Sequence, residues 1–151
     1  MRALLQRVTS ASVRVGGPDG EVVGAIGGGL VVLLGVGPVD TDAVADELAR
    51  TVAELRIFRD DEGRTDRSLL TTGGAALVVS QFTLYADTRR GRRPGFSRAG
   101  GRDLAERLVR RFTEALERLG IATASGRFGQ EMLVDLANDG PFTIWLDSDE
   151  R

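Results

Sequence analysis

Apolar and polar positions in the first third of the chain alternate as they do in β-structure. Residues 3–8 and 12–15 carry strand-forming side chains, Gly16-Gly17-Pro18-Asp19-Gly20 is a turn signal, and residues 21–26 resume the strand pattern, predicting a hairpin. The glycines at 27–29 precede no helix and read as a turn, not a nucleotide loop. Residues 30–36 form an almost wholly apolar run, whose shortness and β-branching predict a strand buried on both faces. The period then changes. Val44, Leu48, Val52 and Leu55 form one apolar stripe, an amphipathic helix that Asp40 or Thr41 can cap and whose start suits Asp42. Residues 59–67 are polar and read as a loop, 75–85 return to strand composition, and 88–101 are a Gly- and Arg-rich connection. Leu104, Leu108, Phe112, Leu116 and Leu119 predict a second amphipathic helix with Gly120 at its C-terminal cap. Residues 121–124, 130–137 and 142–146 close the chain as strands. The order strands, helix, strand, helix, strands predicts an α/β fold with a mixed sheet and helices on one side.

Composition narrows the chemistry. At 151 residues the chain is expected to be one domain, 1–151, large enough to need no disulfide staple. Its formal charge of −2 sets no global positive field, so any nucleic-acid contact has to be a local patch. There is no Cys and no His, and every basic residue is Arg. A Ser-His-Asp triad, a Cys-His dyad, a zinc site of the usual ligands and a lysine Schiff base are therefore excluded. Hydroxyls, carboxylates, arginines, amides, a single Tyr, the backbone and the substrate itself remain. The opening residues are too polar for a secretion signal and no apolar run reaches membrane-spanning length, which makes the cytoplasm the expected location.

Three constellations carry candidate chemistry. In Ser80-Gln81-Phe82-Thr83-Leu84-Tyr85, polar residues appear as a buried strand leaves the core. On a continued strand Gln81, Thr83 and Tyr85 would share one face, forming either a polar pocket wall or a strand surfacing into solvent. Asn138-Asp139-Gly140-Pro141-Phe142-Thr143 reads either as a hairpin turn or as a cis Gly-Pro element with outward carbonyls. Arg89, Arg90, Arg92 and Arg93 form either a phosphate-binding cluster or a solvated charged loop. The carboxylate pairs at Asp60-Asp61 and Asp147-Asp149 lie in loop and terminal settings without metal-ligand spacing, so no metal and no cofactor is expected.

With these residues in view, the chain resembles the D-aminoacyl-tRNA deacylases along essentially its whole length. The opening Met1-Arg2-Ala3-Leu4-Leu5-Gln6-Arg7-Val8, then Leu55-Arg56-Ile57-Phe58 and Gly91-Arg92-Arg93-Pro94, match that family. The most specific matches are residues 80–87 and the closing stretch from Phe128-Gly129 to Phe142-Thr143. The chain departs from the family in having Phe142 where a small β-branched residue is commoner and Gly95 where serine is commoner. The resemblance implies a three-layer α/β/β sandwich that forms a homodimer. It also implies Ser80, Gln81, Phe82 and Thr83 at the catalytic centre. Phe128, Gly129 and Met132 would seat the terminal adenosine of tRNA. Gly140 and Pro141, joined by a cis bond and entering the partner subunit's site, would reject L-amino acids, with Arg7 and Asn138 supporting their loop. The partners implied are D-aminoacyl-tRNA and glycyl-tRNA.

An aminoacyl ester is already activated, which suits a site without His or Cys. The family's favoured route uses the substrate's own 2′-hydroxyl, with backbone N–H groups near Phe82 and Thr83 stabilising the oxyanion. A Thr83 nucleophile is the second route and lacks a His to deprotonate it. A non-catalytic RNA-binding module working through the arginine cluster is the competing class, and release of amino acid from D-tyrosyl-tRNA separates the two.

Overall fold

The structure, a computed structural model, describes residues 1–89 and 91–150. Eight strands and three helices follow in the order β1 (Arg2–Val15), β2 (Glu21–Ile26), β3 (Gly29–Gly35), α1 (Asp42–Glu54), β4 (Phe58–Arg59), β5 (Thr65–Arg67), α2 (Leu69–Thr72), β6 (Ala75–Ser80), α3 (Arg102–Arg118), β7 (Ala122–Ser125) and β8 (Met132–Asp147). A 3-10 turn, Phe82–Tyr85, follows β6. The main sheet runs β2-β1-β3-β6-β7, with β8 paired antiparallel along most of β1. The strands β3, β6 and β7 are mutually parallel, and β1 runs antiparallel to β3.

Alternation along β3 and β6 creates the layers. Leu30, Val32, Leu34, Ala76 and Val78 face the helices, where Leu48 and Val52 of α1 meet Leu108, Phe112 and Leu116 of α3. Val31, Leu77 and Val79 face the other way, onto Val8, Ala11 and Val13 of β1. Two cores therefore sandwich one strand layer, the α/β/β arrangement the sequence implies. Arg111 and Arg118 of α3 both reach Asp46 of α1 and tie the two helices together. Arg111's hydrogen bond to Asp46 holds that carboxyl below its ordinary value.

The caps follow local chemistry. The Thr41 hydroxyl accepts from the Val44 N–H at the start of α1. Asp40, the other expected cap, instead receives the Met1 amino group at 2.7 Å and the Gly37 N–H at 2.6 Å. Gly120, at φ +85°, follows the end of α3 as expected.

Two expectations need correction, and one alternative that the residues left open is decided. Residues 59–67 are not all loop, because β4 and β5 form a small two-stranded ladder around a turn built on the Asp60 carboxylate. The stretch 138–143 does not reverse the chain. It lies inside β8, which slips register against β1 near Val8 and then continues, and the Gly140–Pro141 peptide bond is cis. The pairing with β1 on both sides of the slip keeps the direction of the strand, which the turn-forming composition could not reveal. Finally, residues 81–85 are not strand. The pairing of β6 with β7 ends at Val78 and its pairing with β3 ends at Ser80, beyond which the Gln81 N–H alone still reaches Leu34 O. The chain coils instead, so Gln81, Thr83 and Tyr85 do not share a strand face.

Candidate active site

The parallel strands β3 and β6 end side by side, and a cleft opens just beyond their carboxyl ends, where ligands commonly sit in parallel α/β sheets. The Gln81 N–H continues the ladder by donating to Leu34 O at 2.8 Å, and the Leu84 N–H closes the turn onto Gln81 O at 3.2 Å. This turn can lie flat on β3 because residue 35 is glycine. A Cβ there would sit 3.0 Å from Gln81 O and 3.2 Å from the Tyr85 ring. Tyr85 anchors the turn from below, buried, with the Arg2 guanidinium 4.4 Å over its ring. Arg2 also donates to Leu84 O at 3.0 Å and pairs with Asp147 at 2.8 Å, locking the turn to both β1 and β8.

The cleft measures about 460 Å³. Ser80, Gln81 and Phe82 line one side, Phe96, Ala99 and Gly100 of the Arg-rich connection another, and Arg102, Phe128 and Gly129 a third. Leu34, Val36, Ala105 and Val109 form its apolar floor. Phe82, largely exposed, meets Phe96 edge-on with centroids 4.9 Å apart and planes at 72°. Two of these walls thus come from motifs 46 positions apart in the chain, from 82 to 128.

Thr83 sits on the same turn and is exposed. The Gln81 amide donates to its hydroxyl oxygen. Among the described residues, no carboxylate is hydrogen-bonded to Thr83. Burial pushes the Tyr85 phenol well above its ordinary value, and Asp40 adds to the shift, so Tyr85 stays protonated and cannot serve as a base. Arg102 is the only ionisable side chain among the described residues lining the cleft. Chemistry here falls to hydroxyls, an amide, the backbone and the substrate.

Other expected site residues lie elsewhere. Met132 opens β8 and packs on the second core, its sulfur occupying the space where a Cβ on Gly126 would sit. Gly140 and Pro141 are exposed and do not line the cleft of their own chain. Their loop is held from inside. Arg7, 2% exposed, donates from Nε to Asp139 O at 3.1 Å, from Nη2 to Gly140 O at 3.3 Å and from Nη1 to Ile57 O at 2.5 Å, and its guanidinium lies 4.6 Å from the Phe142 ring centre. The Asn138 amide donates to Arg7 O at 2.9 Å and to Phe142 O at 3.2 Å.

In the arginine cluster, Arg90 lies outside the described residues. Arg89 pairs with Asp87 at 2.7 Å, and its hydrogen bonds hold the Asp87 carboxyl far below the usual carboxylate range. Arg92 and Arg93 are exposed. Sequence reasoning passed over Phe96 and Arg102. An aromatic inside the otherwise polar 88–101 connection was the available signal for Phe96; nothing local marked Arg102.

Comparison with known proteins bears on this geometry. The profile of a family described as D-Tyr-tRNA(Tyr) deacylase matches residues 4–147. A D-aminoacyl-tRNA deacylase of Roseiflexus castenholzii is 63% identical over 148 residues, which is 98% of this chain and 92% of that protein. A solved structure titled c-Myc DNA Unwinding Element Binding Protein superposes with a TM-score of 0.88 at 39% identity, covering 97% of this chain and 98% of that one. A structure described as a probable eukaryotic D-amino acid tRNA deacylase shares the fold at a TM-score of 0.81 and 20% identity, covering 96% and 97%.

Proposed function

The chain belongs to the D-Tyr-tRNA(Tyr) deacylase family and is an ester hydrolase acting on D-aminoacyl-tRNA, and from that premise we propose how the cleft performs the reaction. One observation carries the reading. Ser80, Gln81 and Phe82 converge with Phe128 and Gly129 on one cleft whose described lining offers no carboxylate or other side-chain base to activate a nucleophile. Its volume suits a nucleoside with an attached aminoacyl group.

The terminal adenosine lies along Phe128 and Gly129, and the ester carbonyl points at the start of the 3-10 turn. The backbone N–H groups of Phe82 and Thr83, which begin that turn and so lack acceptors within it, donate to the developing oxyanion. The ribose 2′-hydroxyl next to the ester positions or activates the attacking water. Water adds to the carbonyl carbon, the tetrahedral intermediate collapses, and the C–O bond to the 3′-oxygen breaks. The ribose oxygen takes up a proton, leaving free D-amino acid and tRNA. Thr83, whose oxygen already accepts from Gln81, is not the nucleophile.

Stereochemical selection belongs to a second copy of the chain. Exposed Leu136 and Trp145 along β8, paired with Ala11 and Leu4 of β1, provide an apolar surface suited to a homodimer. Across that dimer the Gly140-Pro141 loop of one subunit enters the cleft of the other. Its main-chain carbonyls accept from the substrate ammonium and leave no room for an L side chain, while a D side chain points to solvent. Glycine, with nothing to collide, is also accepted, which makes glycyl-tRNA a second substrate. Arg92 and Arg93 contact tRNA phosphates. No described helix is long and apolar enough to span a membrane, and a tRNA-acting enzyme works in the cytoplasm.

The direct test is release of amino acid from D-tyrosyl-, L-tyrosyl- and glycyl-tRNA by the purified protein. Release from the D and glycyl substrates alone is expected. Comparable release from the L substrate would rule out the carbonyl clamp, and binding without release would leave only an RNA-binding module.

A further inference from the structure

Arg102 is the only charged side chain among the described residues lining the cleft, and no carboxylate of the described residues pairs with it. This sets it apart from the other arginines of α3. On the same helix Arg107 pairs with Asp42, Arg111 and Arg118 pair with Asp46, and Arg110 faces Glu114 at 3.9 Å. On the adjoining loop Arg127 pairs with Glu21 at 2.9 Å.

The guanidinium of Arg102 is nevertheless placed. It lies 5.8 Å from the Phe128 ring centre and packs directly on Gly129. A Cβ on residue 129 would come within 2.6 Å of Nη2 and 3.0 Å of Cζ. Residue 129 also has φ +73°, a backbone conformation that favours glycine and leaves its open face to the guanidinium. The result is a planar cation lying against the wall proposed to seat the terminal nucleoside. Its donors carry no hydrogen bond to the described residues. A guanidinium fork of this kind matches the oxygens of a phosphate bidentately.

We infer that Arg102 binds the phosphate joining the terminal nucleoside of the tRNA to the preceding nucleotide. The inference rests on the reading that the nucleoside lies along Phe128 and Gly129. The ester end of the substrate occupies the Ser80–Phe82 side of the cleft, so the remainder of the RNA leaves past the opposite wall, where Arg102 stands. This contact is separate from the 89–93 cluster. It sets how well the end of the RNA is held and acts on substrate affinity more than on bond breaking.

The test compares two small substrates: the 3′-O-D-tyrosyl ester of adenosine and the same ester of adenosine 5′-monophosphate, alongside D-tyrosyl-tRNA. For the unmodified protein, kcat/KM for the nucleotide ester should exceed that for the nucleoside ester by about tenfold or more, as expected for charge-assisted hydrogen bonds. In Arg102→Ala this ratio should fall to about one, with the loss on D-tyrosyl-tRNA carried by KM, and Arg102→Lys should restore part of it. A ratio near one in the unmodified protein, or a ratio unchanged in Arg102→Ala, overturns the inference. Phe128→Ala tests the underlying reading separately: it should raise KM for both small esters, and no change in either removes the nucleoside seat whatever Arg102 does.

Discussion

Arg7 and Asp139 meet at 2.9 Å, joining a buried guanidinium in β1 to a half-exposed carboxylate in β8. The same guanidinium serves the carbonyls of Ile57, Asp139 and Gly140, so one side chain holds the register slip in β8 against the body of the fold. Arg7→Met keeps the bulk and removes every donor. It should destabilise the protein by about 2–4 kcal/mol, the scale for stranding buried polar partners. Calorimetry should record a melting temperature lower by roughly 5–15 °C. A shift under about 2 °C would mean these contacts carry little of the stability.

The Gln81 amide donates to the Thr83 hydroxyl oxygen, and no base among the described residues is hydrogen-bonded to it. Thr83→Ala should therefore keep single-turnover hydrolysis of D-tyrosyl-tRNA within about tenfold of the unmodified protein. Abolished turnover in a folded Thr83→Ala protein would point to a covalent intermediate instead.

Asp87 ties the start of the Arg-rich connection to its far side. Its N–H donates to Gly95 O at 2.8 Å and its carbonyl accepts from the Gly95 N–H at 2.9 Å. The Arg89 hydrogen bond lowers the Asp87 carboxyl in the folded state. A lowered folded value contributes stability that is present above the unfolded carboxylate value, near 3.9, and is lost only as pH falls through the still lower folded value. Hydrogen-exchange protection of the Asp87 and Gly95 amides should thus hold steady from about pH 7 down to about pH 4. Asp87→Asn should show weaker protection throughout that range. Protection that already declines between about pH 6 and pH 5 would show that this pair does not hold the bridge.

Leu136 sits on the exposed apolar face of β8. If the proposed dimer supplies the Gly-Pro loop across subunits, Leu136→Glu should give a monomer in sedimentation analysis, and D-tyrosyl-tRNA hydrolysis should fall with it. A monomer retaining full activity and full preference for D substrates would place the selecting group within one chain.

Most elements were legible before the fold was known. The Val44–Leu55 stripe became α1, the Leu104–Leu119 stripe became α3, and the apolar run at 30–36 became the doubly buried β3. Each rests on local periodicity, which a single sequence displays directly. The misreadings have a common origin. Residues 81–85 keep strand composition, yet whether a strand continues depends on having a neighbour to pair with, and the pairing of β6 stops at Val78 on the β7 side and at Ser80 on the β3 side. Residues 138–141 are turn formers, yet β1 runs alongside and carries the chain straight on. Phe96 and Arg102 join the site only because the 88–101 connection folds back over the ends of β3 and β6.

By itself the sequence determined which chemistry was possible: a chain without His, Cys or Lys leaves hydroxyls, carboxylates, arginines, amides, one Tyr, the backbone and the substrate. It also determined the alternating faces that build two cores. Only the tertiary structure decided where that backbone points, because strand termination, the closing of the cleft and the burial of Arg7 beneath an exposed Gly-Pro loop all depend on partners distant in the chain. Contacts of that kind are set by the packing of whole layers, which no local window of residues encodes.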